Sequence, residues 1–168
     1  MKQRVEPSVE IRPATPADAE AIVAVHFAAV HHTAAAFYPP DVLDRWSRQP
    51  DERRFEQIRR ALANGEELLV VARDSSGVVG FGSIVPSLQE LHAVYVHPRA
   101  GRRGIGARIL VELERLAVER GVFRLQMESS VNAEAFYQRR GYEVVERSVF
   151  PLGGGIEMAS VKMKKELA

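Results

Sequence analysis

The chain alternates between two hydrophobic periods, and the changes of period mark its elements. Residues 9–15, "VEIRPAT", alternate briefly before a proline and predict a first strand. Thr15 and Pro16 then form a helix start, with a threonine cap and proline in the first turn. The alanine-rich stretch 17–37 follows with a helical period, and Ile22, Val25, Ala29 and Val30 fall on one apolar face. "YPP" closes it at Tyr38. A second helical region covers residues 41–63, broken near Pro50, and Asn64-Gly65 supplies a cap and turn.

Alternating apolar runs then take over. "EELLVVARD" and "VVGFGSIVP" flank "SSG" (residues 75–77), a hairpin signal, and "LQELHAVYVHP" is a third strand. A helix is predicted over residues 103–120, with Ile105, Ile109, Leu113, Leu116 and Ala117 as its inner stripe. Arg108 and Glu112 are expected to pair on its outer face, and Gly121 to stop it. "VFRLQMES" reads as a buried strand. Asn132 is expected to cap a short helix, "AEAFYQRR", closed by Gly141. "YEVVERSVF" and "IEMASVKMKKEL" form a last strand pair across "PLGGG". The order predicts an α+β (mixed α/β) fold in which a mixed sheet carries packed helices.

Composition narrows this picture. The 168 residues suit one domain, residues 1–168, with a substantial core. The net charge of +1 gives no global pull toward nucleic acid or a membrane. No apolar run is long enough to span a bilayer, and the first residues lack a signal-peptide pattern, so a cytoplasmic protein is expected. With no cysteine, disulfides, thiolate metal sites and a cysteine nucleophile are excluded. His26, His31 and His32 do not match the zinc helix spacing and have no obvious ligand partners; they are expected to be solvated or capping, and no metal is expected. Tyr38 and Trp46 are expected to pack, although both could line a pocket.

The segment with the most chemical content is "VHPRAGRRGIGARIL" (residues 96–110), where glycine and arginine crowd the start of a helix. The first N–H groups of a helix have no intrahelical partner and carry partial positive charge, so they attract anions. Glycine, lacking Cβ, lets an anion approach the backbone closely. "GRRGIG" therefore reads as a phosphate cradle, with side-chain charge from Arg102 and Arg103. It is neither a Walker A motif nor a dinucleotide fingerprint, since Gly104 and Gly106 are followed by Ile109 where the latter needs glycine.

"VYVHPRAGRRGIGARIL" resembles the acyl-CoA-binding signature Arg/Gln-x-x-Gly-x-Gly/Ala of the GNAT superfamily of N-acetyltransferases. "NAEAFYQRRGYEVVER" (residues 132–147) resembles a second segment of the same family, and the element order matches along nearly the whole chain. The resemblance implies the GNAT acyl-CoA N-acyltransferase fold, a mostly antiparallel sheet of about seven strands flanked by about four helices. One position departs from the pattern: Gly101 stands where the family usually has arginine or glutamine.

The resemblance also implies roles. Acetyl-CoA is the co-substrate. The backbone of Val94, Tyr95 and Val96 pairs with its pantetheine arm, and Arg102, Arg103, Gly104, Ile105, Gly106 and Ala107 hold its pyrophosphate. Asn132 contacts it as well. Tyr137 donates a proton to the departing thiolate, while Phe136 beside it packs. An attacking amine must be neutral, which calls for a base or a water relay. Glu90, fourteen positions before Gly104, matches the catalytic glutamate of the histone-acetyltransferase branch. Desolvation in an apolar strand would suit a carboxylate to that task. His92, two residues on and hence expected on the same strand face, is the reserve.

The expected activity is direct acetyl transfer to a primary amine of a small molecule or peptide, without an acyl-enzyme. Residues 19–60 and "PLGGG" are expected to shape the acceptor pocket. The alternatives are a non-catalytic acyl-CoA-binding module, which would have no need of Glu90 and Tyr137, and a nucleic-acid binder, which the net charge opposes. A homodimer formed through the last strands is left open.

Overall fold

The computed structural model describes residues 8–167. Seven strands form one sheet: β1 (Glu10–Pro13), β2 (Leu68–Asp74), β3 (Gly77–Val85), β4 (Glu90–Val96), β5 (Arg124–Ser130), β6 (Glu143–Gly153) and β7 (Ile156–Glu166). Their spatial order is β1-β2-β3-β4-β5-β7-β6. Every neighbouring pair is antiparallel except β4 and β5. The helices are α1 (Ala19–Ala28), α2 (Pro40–Trp46), α3 (Glu52–Asn64), α4 (Ile105–Glu119) and α5 (Glu134–Gln138). No helix among the described residues is long and apolar enough to cross a membrane.

The predicted periods translate directly into packing. Ile105, Ile109, Leu113 and Ala117 of α4 are buried against the sheet with Val70, Val79, Ile84, Leu125 and Met163. Ile22 and Val25 of α1 cover the opposite face over Val71 and Phe81. Each of these side chains larger than alanine contributes about 1.5–3 kcal/mol when removed from water. Helix α4 sits so low on β3 that the space over Gly80 is tight and Gly82 is required beneath it. A Cβ on Gly82 would lie 2.6 Å from Ile109 Cγ2, 2.8 Å from Leu113 Cδ1 and 2.8 Å from the Ala93 carbonyl oxygen. The side chains could shift, but the backbone carbonyl of the adjacent strand cannot do so without disturbing the ladder. Gly82→Ala is therefore expected to destabilise the protein by about 2–3 kcal/mol, the upper part of the range for overpacking. A urea titration checks this; the midpoint should fall with little change in slope.

Three local expectations are corrected. Arg108 does not pair with Glu112: its Nη2 donates to the Val9 carbonyl at 2.8 Å, and Glu112 takes Arg115 instead, Nη2 to Oε1 at 2.6 Å. The docked segment before β1 offers Arg108 a fixed acceptor, and the turn of α4 places Arg115 within reach of Glu112. Asn132 is not a helix cap. It lies inside a tight turn (Val131–Ala133) preceding α5, and the flanking Ser130 and Ala133 occupy the cap positions. The helix at 17–37 is also less regular than its alanine content implies. A tight turn (Pro16–Asp18) opens it, and after Ala28 it widens into a π-type turn (Ala29–Thr33).

That widened turn lies beside histidines expected to be solvated or capping, and two of them are held by protein groups. His26 is largely buried, with Nδ1 2.8 Å from Ser47 Oγ and its ring 4.6 Å from that of Tyr95. Burial, with the Arg54 charge adding to it, lowers its pKa to about 4, so it is neutral at physiological pH. His31 Nε2 lies 2.7 Å from the Ser47 carbonyl oxygen, whereas His32 is exposed. Both contacts fall on the segment after α2, and so fasten that helix over the sheet. Tyr38 packs as expected: its hydroxyl donates to the Ala159 carbonyl at 2.6 Å and accepts from the Val131 N–H at 2.9 Å.

Candidate active site

The parallel pair β4 and β5 is joined only at one end. Glu90 is registered with Gln126, and no later residue of β4 has a partner on β5. Beyond that point the strands splay, and the β5-facing backbone edge of β4, through Val94, Tyr95 and Val96, has no strand opposite it. A peptide edge left this way within a sheet has donors and acceptors to offer a ligand.

The C-terminal ends of both strands lead to the open end of the splay. After β4 comes the glycine-arginine loop. Gly104 is the N-cap of α4 at φ +70°, and with no side chain it leaves the first N–H groups of the helix without a capping acceptor. Arg102 also has a positive φ, +62°, an uncommon conformation for a residue with Cβ. Gly101, at φ −63°, has an ordinary extended conformation. Arg103 makes a contact that its sequence context did not suggest. Its Nη1 donates to Asp74 Oδ2 at 3.0 Å, tying the loop to the β2–β3 hairpin. The Ser76 side chain first, and then Arg103, hold the Asp74 carboxyl at about 2.

After β5 comes the turn carrying Asn132. Its Oδ1 is buried and has no hydrogen-bond partner among the described residues. A buried acceptor left unpaired costs about 1–3 kcal/mol, so its persistence points to a donor supplied from outside the chain. Helix α5 then delivers Tyr137. Phe136 packs its ring on Gly106, where a Cβ would stand 3.3 Å from ring atoms, and Arg140 lies 4.1 Å over that ring. Tyr142, whose hydroxyl donates to Glu114 at 3.1 Å, supports Tyr137 from the other side. The Tyr137 hydroxyl has no hydrogen-bond partner among the described residues. Burial chiefly, and then the neighbouring Tyr95, push the phenol well above its usual pKa, so it keeps its proton.

The closed end of the splay holds a group of titratable side chains. Glu90 and His92 line a cleft of about 660 Å³ with Gln126 and Glu128 of β5 and Lys162 and Lys164 of β7. The two side chains do meet, His92 Nε2 to Glu90 Oε2 at 2.6 Å. Simple alternation is not the reason. Ser83 pairs with Ala93 and Ile84 with Leu91, which leaves His92 as the extra residue of a bulge. The apolar enclosure expected for Glu90 is absent; its side chain is 36% exposed and held by the imidazole. A third carboxylate, which sequence reasoning missed, completes the group. Glu67 accepts from Ser83 Oγ at 2.6 Å and lies 3.7 Å from His92 Nδ1. Its position just before β2 carried no signal, because it becomes a neighbour of His92 only when three strands align. Glu67 foremost, and then Glu90, raise the His92 pKa to about 9, making it an imidazolium at neutral pH.

The Acetyltransferase (GNAT) domain family model matches residues 34–167, well over half of the chain. The chain belongs to the GNAT acetyltransferase family. It is 26% identical over 145 residues to spermidine N(1)-acetyltransferase of Thermoplasma acidophilum, covering 82% of this chain and 89% of that protein. Among solved structures, a GCN5-related N-acetyltransferase from Rhodopseudomonas palustris superposes with a TM-score of 0.84 at 28% identity, covering 99% of this chain and 100% of that one. The PaiA N-acetyltransferase of Thermoplasma acidophilum, solved in complex with coenzyme A, shares the fold with a TM-score of 0.77 at 22% identity, covering 95% and 99% of the two chains. The GNAT fold implied by the resemblance is thus the fold observed, with five α-helices among the described residues, where about four were expected, on a seven-stranded sheet. Among the described residues, no group of three or more histidine, aspartate or glutamate side chains is placed to hold a metal ion.

Proposed function

We propose that this GNAT acetyltransferase moves an acetyl group from acetyl-CoA to the primary amine of an acceptor by direct attack within a ternary complex. The observation that carries the reading is the splay of β4 from β5, with the unpaired Asn132 Oδ1 and the uncapped start of α4 at its open end. The residues there fit acetyl-CoA. The backbone edge of Val94, Tyr95 and Val96 and the Asn132 side chain suit the amide groups of its pantetheine arm. The N–H groups of residues 104–107, with Arg102, suit its pyrophosphate. When bound, acetyl-CoA supplies a thioester open to attack by a neutral amine.

The chain supplies the proton traffic. Glu90, with Oε2 held by His92, has Oε1 free of protein partners among the described residues and takes the proton of the amine. His92, already protonated at neutral pH, acts as a donor to Glu90 and leaves the base role to it. Tyr137 gives its phenolic proton to the leaving sulfur. A cysteine-free chain offers no thiol for an acyl-enzyme, which supports direct attack.

The test is a thiol-release assay with acetyl-CoA and a panel of amines: spermidine, amino acids, aminoglycosides and peptide N-termini. The absence of cysteine removes the protein's own background in such an assay. Amine-dependent release of CoA is the expected result. Binding of acetyl-CoA with no release for any amine would leave the chain as an acyl-CoA-binding module. Asn132→Ala provides a second check. It should weaken acetyl-CoA binding by about tenfold, a loss of about 1.4 kcal/mol, while the melting temperature holds or rises. Calorimetric titration beside thermal unfolding measures both.

A further inference from the structure

The cluster at the closed end of the splay contains a residue that the proposed chemistry does not yet use. Glu67 lies outside the strand that carries Glu90 and His92, yet its carboxylate reaches the His92 ring. Ser83, 1% exposed, donates its hydroxyl hydrogen to Glu67 Oε1 at 2.6 Å and so fixes the carboxylate in place. That same Oε1 stands 3.7 Å from His92 Nδ1, while the other ring nitrogen contacts Glu90 Oε2 at 2.6 Å. The imidazole is thus bracketed by two carboxylates on its opposite nitrogens. The bulge makes this possible, because His92 is the unpaired residue of β4 and can turn its ring toward β2.

We propose that Glu67, anchored by Ser83, is a positioning residue for acetyl transfer: it keeps His92 oriented and protonated so that Nε2–H donates to Glu90 and sets that carboxylate toward the cleft. The inference rests on the reading of Glu90 as the base. A neutral imidazole has only one N–H and can present either nitrogen, so its donation to Glu90 would depend on tautomer. An imidazolium has a donor on both nitrogens, and the second carboxylate keeps it charged. The charged groups around His92 are Glu67 before β2, Glu90 on its own strand, Arg124 and Glu128 on β5, and Lys162 and Lys164 on β7, across the shared cleft. Arg124 is paired with Glu166 and Lys162 with Glu146, while Ser160 donates to Glu128. The two carboxylates in contact with the ring are those of Glu67 and Glu90.

Glu67→Gln tests this, because the amide oxygen still accepts from Ser83 while the charge is removed. The titration of His92 is followed by NMR, its signal assigned by loss in His92→Asn. In the parent it should titrate near 9, and in Glu67→Gln at least about one unit lower. The rate of acetyl transfer is then compared between variant and parent from pH 7 to 9, as a ratio in which the acceptor's own titration cancels. The sign follows from which form is active. The imidazolium persists below its pKa, so a lowered pKa removes it first at high pH, and the ratio should fall about fivefold across that range. An unchanged His92 titration, or an ordinary one in the parent, overturns the proposal. So does a ratio that stays level while the titration moves. Ser83→Ala, which releases the Glu67 carboxylate without changing charge, should shift His92 in the same direction and serves if the glutamine variant does not fold. The titration needs no turnover, so failure of every amine to accept acetyl would overturn the proposed function and still leave the bracketing of His92 decided.

Discussion

Replacing Gly104 with glutamate is expected to weaken acetyl-CoA binding at least about 100-fold, a loss of about 2.7 kcal/mol. The position caps a 15-residue helix whose first N–H groups have no side-chain acceptor, and an added Cβ there meets nothing within 4 Å. The substitution therefore acts on the ligand's side, placing a carboxylate at the site proposed for the pyrophosphate. Backbone strain is a second effect, since φ is +70° and the left-handed region costs a residue with Cβ about 1–2 kcal/mol. Gly104→Asn separates the two. Asparagine tolerates that conformation and carries no charge, so it should bind acetyl-CoA within a few-fold of the parent. Calorimetric titration at a temperature where all three proteins are folded reads the difference. Equal losses in both variants would mean that the backbone conformation matters and the anion site does not.

Tyr137→Phe is expected to lower the single-turnover rate of acetyl transfer by about 100-fold or more, the usual contribution of a positioned proton donor. Acetyl-CoA affinity and stability should change little. Among the described residues the hydroxyl has no partner to orphan, so its removal leaves no buried group there unsatisfied. Tyr137 is buried, and Phe136 and Tyr142 clasp its ring at 5.0 and 5.5 Å between centroids, contacts that phenylalanine retains. Burial holds the phenol protonated, so the parent's rate should show no ionisation from this residue across the neutral range. A variant that binds acetyl-CoA normally and still transfers at the parental rate would remove Tyr137 as the acid.

The elements of this protein were legible because each one repeats its information. The stripe Ile105, Ile109, Leu113 and Ala117 recurs at helical spacing, and its burial on the sheet follows from that repetition. Glycines at turns behave the same way: Gly65, Gly104, Gly121 and Gly141 all have positive φ, a conformation that costs glycine least. The loop "GRRGIG" is legible for the same reason: a left-handed glycine and the helix start it caps are read from consecutive residues.

What remained hidden depends on residues distant in sequence coming together. Arg103 carries charge suited to a ligand, and its partner Asp74 lies 29 residues earlier, on a hairpin that only the sheet brings alongside. Glu67 meets His92 because β2, β3 and β4 align with a one-residue bulge, and a bulge leaves no periodic trace when a single residue breaks the alternation. His26 reads from sequence as solvated or capping, and Ser47, Trp46 and Tyr95 enclose it in the fold. Local order is encoded locally, by spacing and by the backbone preferences of individual residues. The charge state of His92, the neutrality of His26 and the unmet Oδ1 of Asn132 are set by desolvation and by neighbours across strands, and those quantities exist only once the chain has folded.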